Sequence, residues 1–310
     1  MSTPVTLLTG YLGSGKTTLL SRLLAHPDMG ETAVIVNELG EVAIDHHLLR
    51  QVDERTVVLG NGCVCCTMRG DLADELRDLL GRRDRGEIPD FRRVVVETTG
   101  LADPAPILYT LLSEPVVKHH FRIDRVIATV DAVNGLPEPE SVGQVAAADT
   151  VVVTKSDLTQ AGDVRPRVEE LNPAASVFEV SFGDVEPDAL FAPLGTELRS
   201  VPAVDAHSHG DVRSCCLFID EELDWGAFGI WLTMLLQSRG KDVLRVKGLL
   251  NVGGAGPLLL NGVQHVVHPP EHLDAWPDDD RRSRIVFIGR GIDPAVMRES
   301  LAAFNRAAVS

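Results

Sequence analysis

No apolar stretch in these 310 residues approaches the length needed to span a bilayer. The opening Met1-Ser2-Thr3-Pro4-Val5 lacks the basic region and apolar core of a signal peptide. A cytoplasmic protein with no membrane partner is therefore expected. Positive charge is scarce: 29 Lys and Arg against 45 Asp and Glu leave a net charge of -16 at pH 7. Nucleic-acid backbones are usually met by basic patches, so they are excluded as the main partner. Cysteine is also sparse, at five residues crowded into two knots (Cys63, Cys65 and Cys66; Cys215 and Cys216). An odd number in so few places makes a poor disulfide framework. Internal repeats and low-complexity tracts are lacking too.

What is present begins with Gly10-Tyr11-Leu12-Gly13-Ser14-Gly15-Lys16-Thr17, a G-x-x-x-x-G-K-[ST] phosphate loop between an apolar strand (5–9) and a leucine-spaced helix. Its glycines let the backbone curl so that N–H groups meet phosphate oxygens. The start of the helix adds its positive end. Gly10, Gly13, Ser14, Gly15, Lys16, Thr17 and Thr18 are thus the expected nucleotide contacts. Lys16 would reach the β- and γ-phosphates and Thr17 would ligate Mg²⁺. Further apolar strands are expected at 33–36, 56–59, 93–96, 126–130 and 151–154, with helices over 70–82, 104–113 and 163–171. The pattern is α/β: a doubly wound, mostly parallel sheet of the P-loop NTPase type, with ligands at the carboxyl ends of its strands.

Two strand ends supply the rest of the nucleotide site. After 93–96 come Glu97-Thr98-Thr99-Gly100, where Glu97 would hold Mg²⁺ or its water and Gly100 would offer its N–H to the γ-phosphate. With Lys16, these two are the catalytic candidates. After 151–153 come Thr154-Lys155-Ser156-Asp157. An aspartate at 157 can accept from both guanine N1–H and the N2 amino group, a pairing adenine does not offer. Lys155 would lay its stem along the base, and Ser181 adds a base-side contact. Thr154 stands where asparagine is common in this motif. GTP is therefore expected over ATP.

Cys63-Val64-Cys65-Cys66 packs three soft ligands into four residues. Thiolates select zinc, copper(I) or iron–sulfur chemistry, and three do not complete a tetrahedral structural zinc site. Glu38, Glu41, His46, a nucleotide-linked water or a partner protein are the candidates for completing it. A redox-sensing trio and purely structural cysteines are the alternatives. The stretch Asn37 to His46 suits a switch loop responsive to the γ-phosphate. Cys215 and Cys216 read instead as small hydrophobes in a buried strand over 214–219. His207 and His209 read as a weak metal-loading pair or an ordinary solvated linker, and Lys247, Arg284, His265 and His268 as a client contact or a solvated surface.

The chain is expected to divide into a nucleotide domain over 1–200, a linker over 201–212 and a smaller α+β domain over 213–310. It resembles the CobW-like GTPases, relatives of the hydrogenase and urease nickel-insertion GTPases. The resemblance rests on Gly10 to Thr17, Asn37-Glu38-x-Gly-Glu41, Gly62 to Cys66, Glu97 to Pro104, Thr154 to Asp157, Arg245-Val246-Lys247-Gly248 and Arg284 to Gly289. It implies a GTP-hydrolysing metallochaperone or metal insertase, with GTP or GDP, Mg²⁺ and Zn²⁺ (alternatively Co²⁺ or Fe²⁺) as ligands. It also implies a client metalloprotein, and a metal-dependent homodimer is expected with it. The cargo metal would sit on Cys63, Cys65 and Cys66, with Glu38 and Glu41 as further ligands. Many members carry a long histidine-rich stretch before the second domain, and here only His207 and His209 stand in that place. A slow intrinsic GTPase is expected, because no arginine finger is evident. The rival classes are a redox-sensing GTP-binding regulator and a small-molecule kinase.

Overall fold

A computed structural model describes residues 2–36, 57–60, 68–159, 164–192, 207–209 and 212–309. Contacts divide the chain into two units, Met1–Pro166 with Ala175–Leu194, and Arg167–Ala174 with Gly195–Ser310. No helix among the described residues is long and apolar enough to cross a membrane.

The first unit is built on seven strands: β1 (Thr3–Gly10), β2 (Thr32–Val36), β3 (Val57–Gly60), β4 (Arg93–Glu97), β5 (Phe121–Asp131), β6 (Thr150–Thr154) and β7 (Ser176–Glu179). Between them run α1 (Lys16–Leu24), α2 (Met68–Asp84), α3 (Pro104–Ser113), α4 (Pro115–His120), α5 (Pro139–Ala147) and α6 (Val164–Leu171), with α7 (Pro187–Phe191) after β7. The strands pair in the order β3-β2-β4-β1-β5-β6-β7, all parallel. Such a sheet is buried on both faces, which is why β2, β4 and β6 read as nearly unbroken Val, Ile, Ala and Thr. Leu19, Leu20, Leu23 and Leu24 of α1 pack with Leu8, Val34, Val95, Ile127 and Val152 on one face, while α3 and α5 contact β5.

Winding reverses between β1 and β4. The chain leaves β1 toward β2, and leaves β4 toward β5, on the other side. The crevice at the carboxyl ends of these adjacent strands is where doubly wound sheets place ligands. The phosphate loop follows β1, and Glu97 ends β4 opposite Leu8.

The second unit is an antiparallel sheet with two helices. Its strands are β8 (His207–His209), β9 (Val212–Ile219), β10 (Val243–Leu250), β11 (Leu258–Val263), β12 (Val266–Val267), β13 (Glu271–His272) and β14 (Ser283–Arg290), in the order β12-β11-β10-β14-β9-β8, with β13 also on β11. Helices α8 (Trp225–Arg239) and α9 (Pro294–Val309) pack on the face that presents Cys215, Leu217, Val246, Leu260, Ile285 and Phe287. Three residues read as linker, His207 to His209, instead pair with Val212, Arg213 and Ser214. A polar His-Ser-His run carries no apolar alternation, so its backbone pairing left no trace in the sequence pattern. Lys247 and Arg284 are also not a solvated surface: both are buried, and Arg284 Nη1 donates to Asp278 Oδ2 at 2.6 Å.

Candidate functional site

The phosphate loop is held from several sides. Gly10 has φ +144°, and a Cβ there would stand 2.2 Å from Thr129 Oγ1 and 2.6 Å from the Thr129 carbonyl oxygen. Only glycine fits against β5 at this point. Gly13 (φ +71°) and Gly15 (φ +90°) complete the left-handed turns that bring the chain back to the start of α1. Ser14 is buried, with its Oγ 2.6 Å from Thr129 Oγ1. The Thr154 hydroxyl donates to the Ser14 carbonyl at 2.7 Å. Thr154 therefore ties the loop to β6, a use for the hydroxyl that replaces the usual asparagine. Lys16 Nζ donates back to the carbonyls of Gly10 (2.9 Å) and Tyr11 (3.3 Å). That contact keeps the ammonium over the loop, and Thr18, two residues on, is exposed.

Glu97 meets this loop. Its side chain is buried and Oε1 accepts from Thr17 Oγ1 at 2.7 Å. A carboxylate beside a hydroxyl is a pair of hard oxygen donors, the set that Mg²⁺ takes with substrate phosphates and water. Behind Glu97, Gly100 lies against the loop's other flank: a Cβ there would come within 2.6 Å of Leu12 N and Leu12 Cδ2. The Gly100 and Ala102 carbonyls both accept from Gln144 Nε2, at 3.0 and 3.1 Å.

On the base side, Lys155 follows β6 with φ +57°, and its Nζ donates to Asp131 Oδ2 at 2.6 Å. Ser156 and Ser181, from neighbouring loops, lie 3.0 Å apart through their hydroxyls. Asp157 is exposed. Phe182 is an exposed aromatic with φ +54°, a backbone state uncommon for so bulky a residue. The elements thus bring Lys16, Thr17, Glu97 and Gly100 to one loop, and Thr154, Lys155, Ser156 and Ser181 to the ends of β6 and β7.

The family model described as CobW/HypB/UreG, nucleotide-binding domain, matches residues 4–179, more than half of the chain. The chain belongs to this family. The CobW C-terminal domain model matches residues 212–305. The zinc chaperone YjiA of Escherichia coli is 35% identical over 97% of this chain and 98% of its own length. The zinc chaperone CobW of Pseudomonas aeruginosa is 31% identical over 96% of this chain and 90% of its own. A crystal structure of the Zn(II)-bound YjiA GTPase from E. coli superposes with a TM-score of 0.76 at 31% identity, covering 98% of this chain and 99% of that one.

For this member of the CobW family, the thiol loop (Cys63, Cys65, Cys66) and the acids Glu38 and Glu41, with His46, lie outside the described residues. Among the described residues, no group of three or more His, Cys, Asp or Glu is placed to hold a metal. Cys215 and Cys216 are buried in β9 as expected, and burial pushes their thiols up to about 12 and about 11. Sequence reasoning missed Thr129, Asp131 and Gln144. Only Asp131 left a signal, an acid closing a buried strand.

Proposed function

We propose that this protein is a GTP-hydrolysing metallochaperone that binds a transition metal, zinc first, at Cys63, Cys65 and Cys66 and passes it to a client protein under nucleotide control. The observation that carries the nucleotide half is the 2.7 Å contact between Thr17 Oγ1 and the buried Glu97 carboxylate, beside a phosphate loop bound to β5 and β6. The metal half is supported by the full-length relatives named zinc chaperones and by the C-x-C-C sequence.

In this reading the loop N–H groups and Lys16 bind the phosphates, and Lys16 offsets charge at the β- and γ-phosphates. Mg²⁺ supplies Lewis-acid charge neutralisation when bound, with Thr17 and Glu97 the residues that would hold it directly or through water. Gly100 offers its N–H to the γ-phosphate. Lys155 lays its stem along the base, Asp157 reads guanine N1–H and the N2 amino group, and Ser181 closes the base side. Thr98 Oγ1, 3.0 Å from Thr9 Oγ1, fixes the chain between Glu97 and Gly100. Cys63, Cys65 and Cys66, joined by Glu38 or Glu41, receive the cargo metal.

Measuring GTP affinity of the reduced protein with and without Zn²⁺ tests the coupling. By linkage, any factor by which zinc shifts GTP affinity is the factor by which GTP shifts zinc affinity. Equal affinities in both conditions would end the coupling claim. Zinc stoichiometry that survives replacement of Cys65 and Cys66 would end the assignment of the cargo site.

A further inference from the structure

Asp131 closes β5 with a carboxylate that is almost fully buried, and it holds three donors at once. Oδ1 accepts from the Val133 N–H at 2.7 Å, and Oδ2 accepts from Asn134 Nδ2 at 2.7 Å and from Lys155 Nζ at 2.6 Å. Its own carbonyl accepts from the Gly135 N–H at 2.7 Å, so the acid sits inside a tight turn over 131–135. Across the strand pair, the Ala132 N–H donates to the Thr154 carbonyl at 2.9 Å. This fixes the turn against the residue that precedes Lys155. Burial alone would raise the Asp131 carboxyl; the Lys155 ammonium and the two amide donors outweigh it and hold the group below the usual carboxylate range.

Lys155 is the other half of the arrangement. It is a non-glycine residue in the left-handed region, a strained state that clusters at ligand clamps. Its side chain is about one-third exposed, whereas that of Asp131 is 7% exposed. A free lysine at such a place keeps four flexible torsions. Here the tip is tied to a buried anion that the turn has already fixed.

We infer that Asp131 is a positioning residue for the nucleobase pocket, holding the Lys155 stem in the orientation that receives the base before nucleotide arrives. The inference rests on the reading of Lys155 as the base-side lysine. Its consequence is that Asp131 acts on nucleotide affinity only through Lys155.

The test is a double-mutant cycle read by titration of a fluorescent GDP analogue, using the full chain. Asp131→Asn keeps the shape and the Val133 acceptor but removes the charge that holds the ammonium. It is expected to weaken binding roughly tenfold, the scale of one long side chain that must be ordered on binding. Combined with Lys155→Ala, it should add no further loss beyond that of Lys155→Ala alone. Wild-type affinity in Asp131→Asn, or losses that multiply in the double variant, would overturn the inference. Should Asp131→Asn not fold, Asn134→Ala removes an exposed anchor of the same oxygen. It is expected to weaken binding about two- to threefold, and only while Lys155 is present; equal effects in both backgrounds would overturn the inference as well.

The ratio of GTP to inosine triphosphate affinity separates this idea from the reading beneath it. Asp131→Asn should lower both alike and leave the ratio unchanged. Asp157→Asn should reduce the ratio, because inosine lacks the N2 amino group. A ratio altered by Asp131→Asn counts against the inference, whereas a ratio unmoved by Asp157→Asn counts against the guanine reading alone.

Discussion

Replacing Gly100 with alanine probes whether the segment after β4 and the phosphate loop work as one body. The φ of Gly100 is not in the left-handed range, so alanine brings no backbone strain and the effect is purely steric. Its methyl would stand 2.6 Å from Leu12 N and Cδ2 and 2.8 Å from Leu12 Cα, where ordinary contact begins at 3.4 Å. The side-chain tip of Leu12 can swing away, since it is 58% exposed. The backbone nitrogen cannot, so the loop must retreat by about 0.8 Å, at an overpacking cost of about 1–3 kcal/mol. Displacements near 1 Å in positioned groups cost up to about a hundredfold in rate. The expected outcome is therefore a fall in kcat/KM for GTP of roughly ten- to a hundredfold, with thermal melting lowered by about 2–12 °C. Adding Leu12→Ala removes the Cδ2 contact and leaves the one to nitrogen, so it should restore little. A Gly100→Ala protein with wild-type kcat/KM would refute the reasoning, and full rescue by Leu12→Ala would show that the backbone contact is not what matters.

Three other outcomes follow from buried groups. Glu97→Gln keeps an acceptor for Thr17 but removes the charge. It should lower kcat by roughly a hundredfold and raise the Mg²⁺ concentration needed for half-maximal hydrolysis, read by steady-state GTPase assays across a Mg²⁺ titration. Cys215 and Cys216 should resist a thiol reagent in the native protein and react on unfolding. Their folded thiols hold protons to about 12 and about 11, whereas unfolded thiols lose them near 9. Their contribution is thus fully present below about pH 9 and lost as pH rises, by about 1.4 kcal/mol per pH unit for each thiol, which urea denaturation from pH 8 to 11 will register. Buried Arg125 donates to the carbonyls of Leu190 and Ala192 (the latter at 2.7 Å) and to Asp124 at 2.7 Å. Arg125→Met should cost about 3 kcal/mol in urea denaturation of the first unit by leaving these acceptors unmet.

The legible parts of this chain were those encoded over a few residues. Val94-Val95-Val96 could only be a strand buried on both faces, and Pro104 to Ser113 begins with an Asp103 cap and a proline at its first position. The glycine loop announced itself by spacing. What escaped were contacts between residues distant in sequence, such as Ser14 with Thr129 and with Thr154, separated by 115 and 140 positions. Gln144 stands among alanines and valines in the sequence with nothing beside it to mark a role, yet its amide holds two carbonyls of the Gly100 turn. Asp131 had the right address, at the end of a buried strand, but its partner Lys155 was already spoken for by the base. Lys247 and Arg284 misled because charged side chains are rarely buried unless paired, and for Arg284 the partner Asp278 is visible only once β14 is folded.

These long-range contacts explain why the loop is a preformed cradle. β5 contributes Thr129, β6 contributes Thr154, and the turn after β4 contributes Gly100, so three neighbouring strand ends each press on one short loop. Donors fixed in advance need no reorganisation when the phosphate charge arrives, which is the source of their catalytic value. The same sharing makes single substitutions poor measures of individual contacts. Thr129→Val and Thr154→Val both loosen the hold on Ser14, so their combined effect on nucleotide affinity should be smaller than the product of the two. A multiplicative result would mean that each strand grips the loop independently, and the cradle would then be three separate contacts rather than one body.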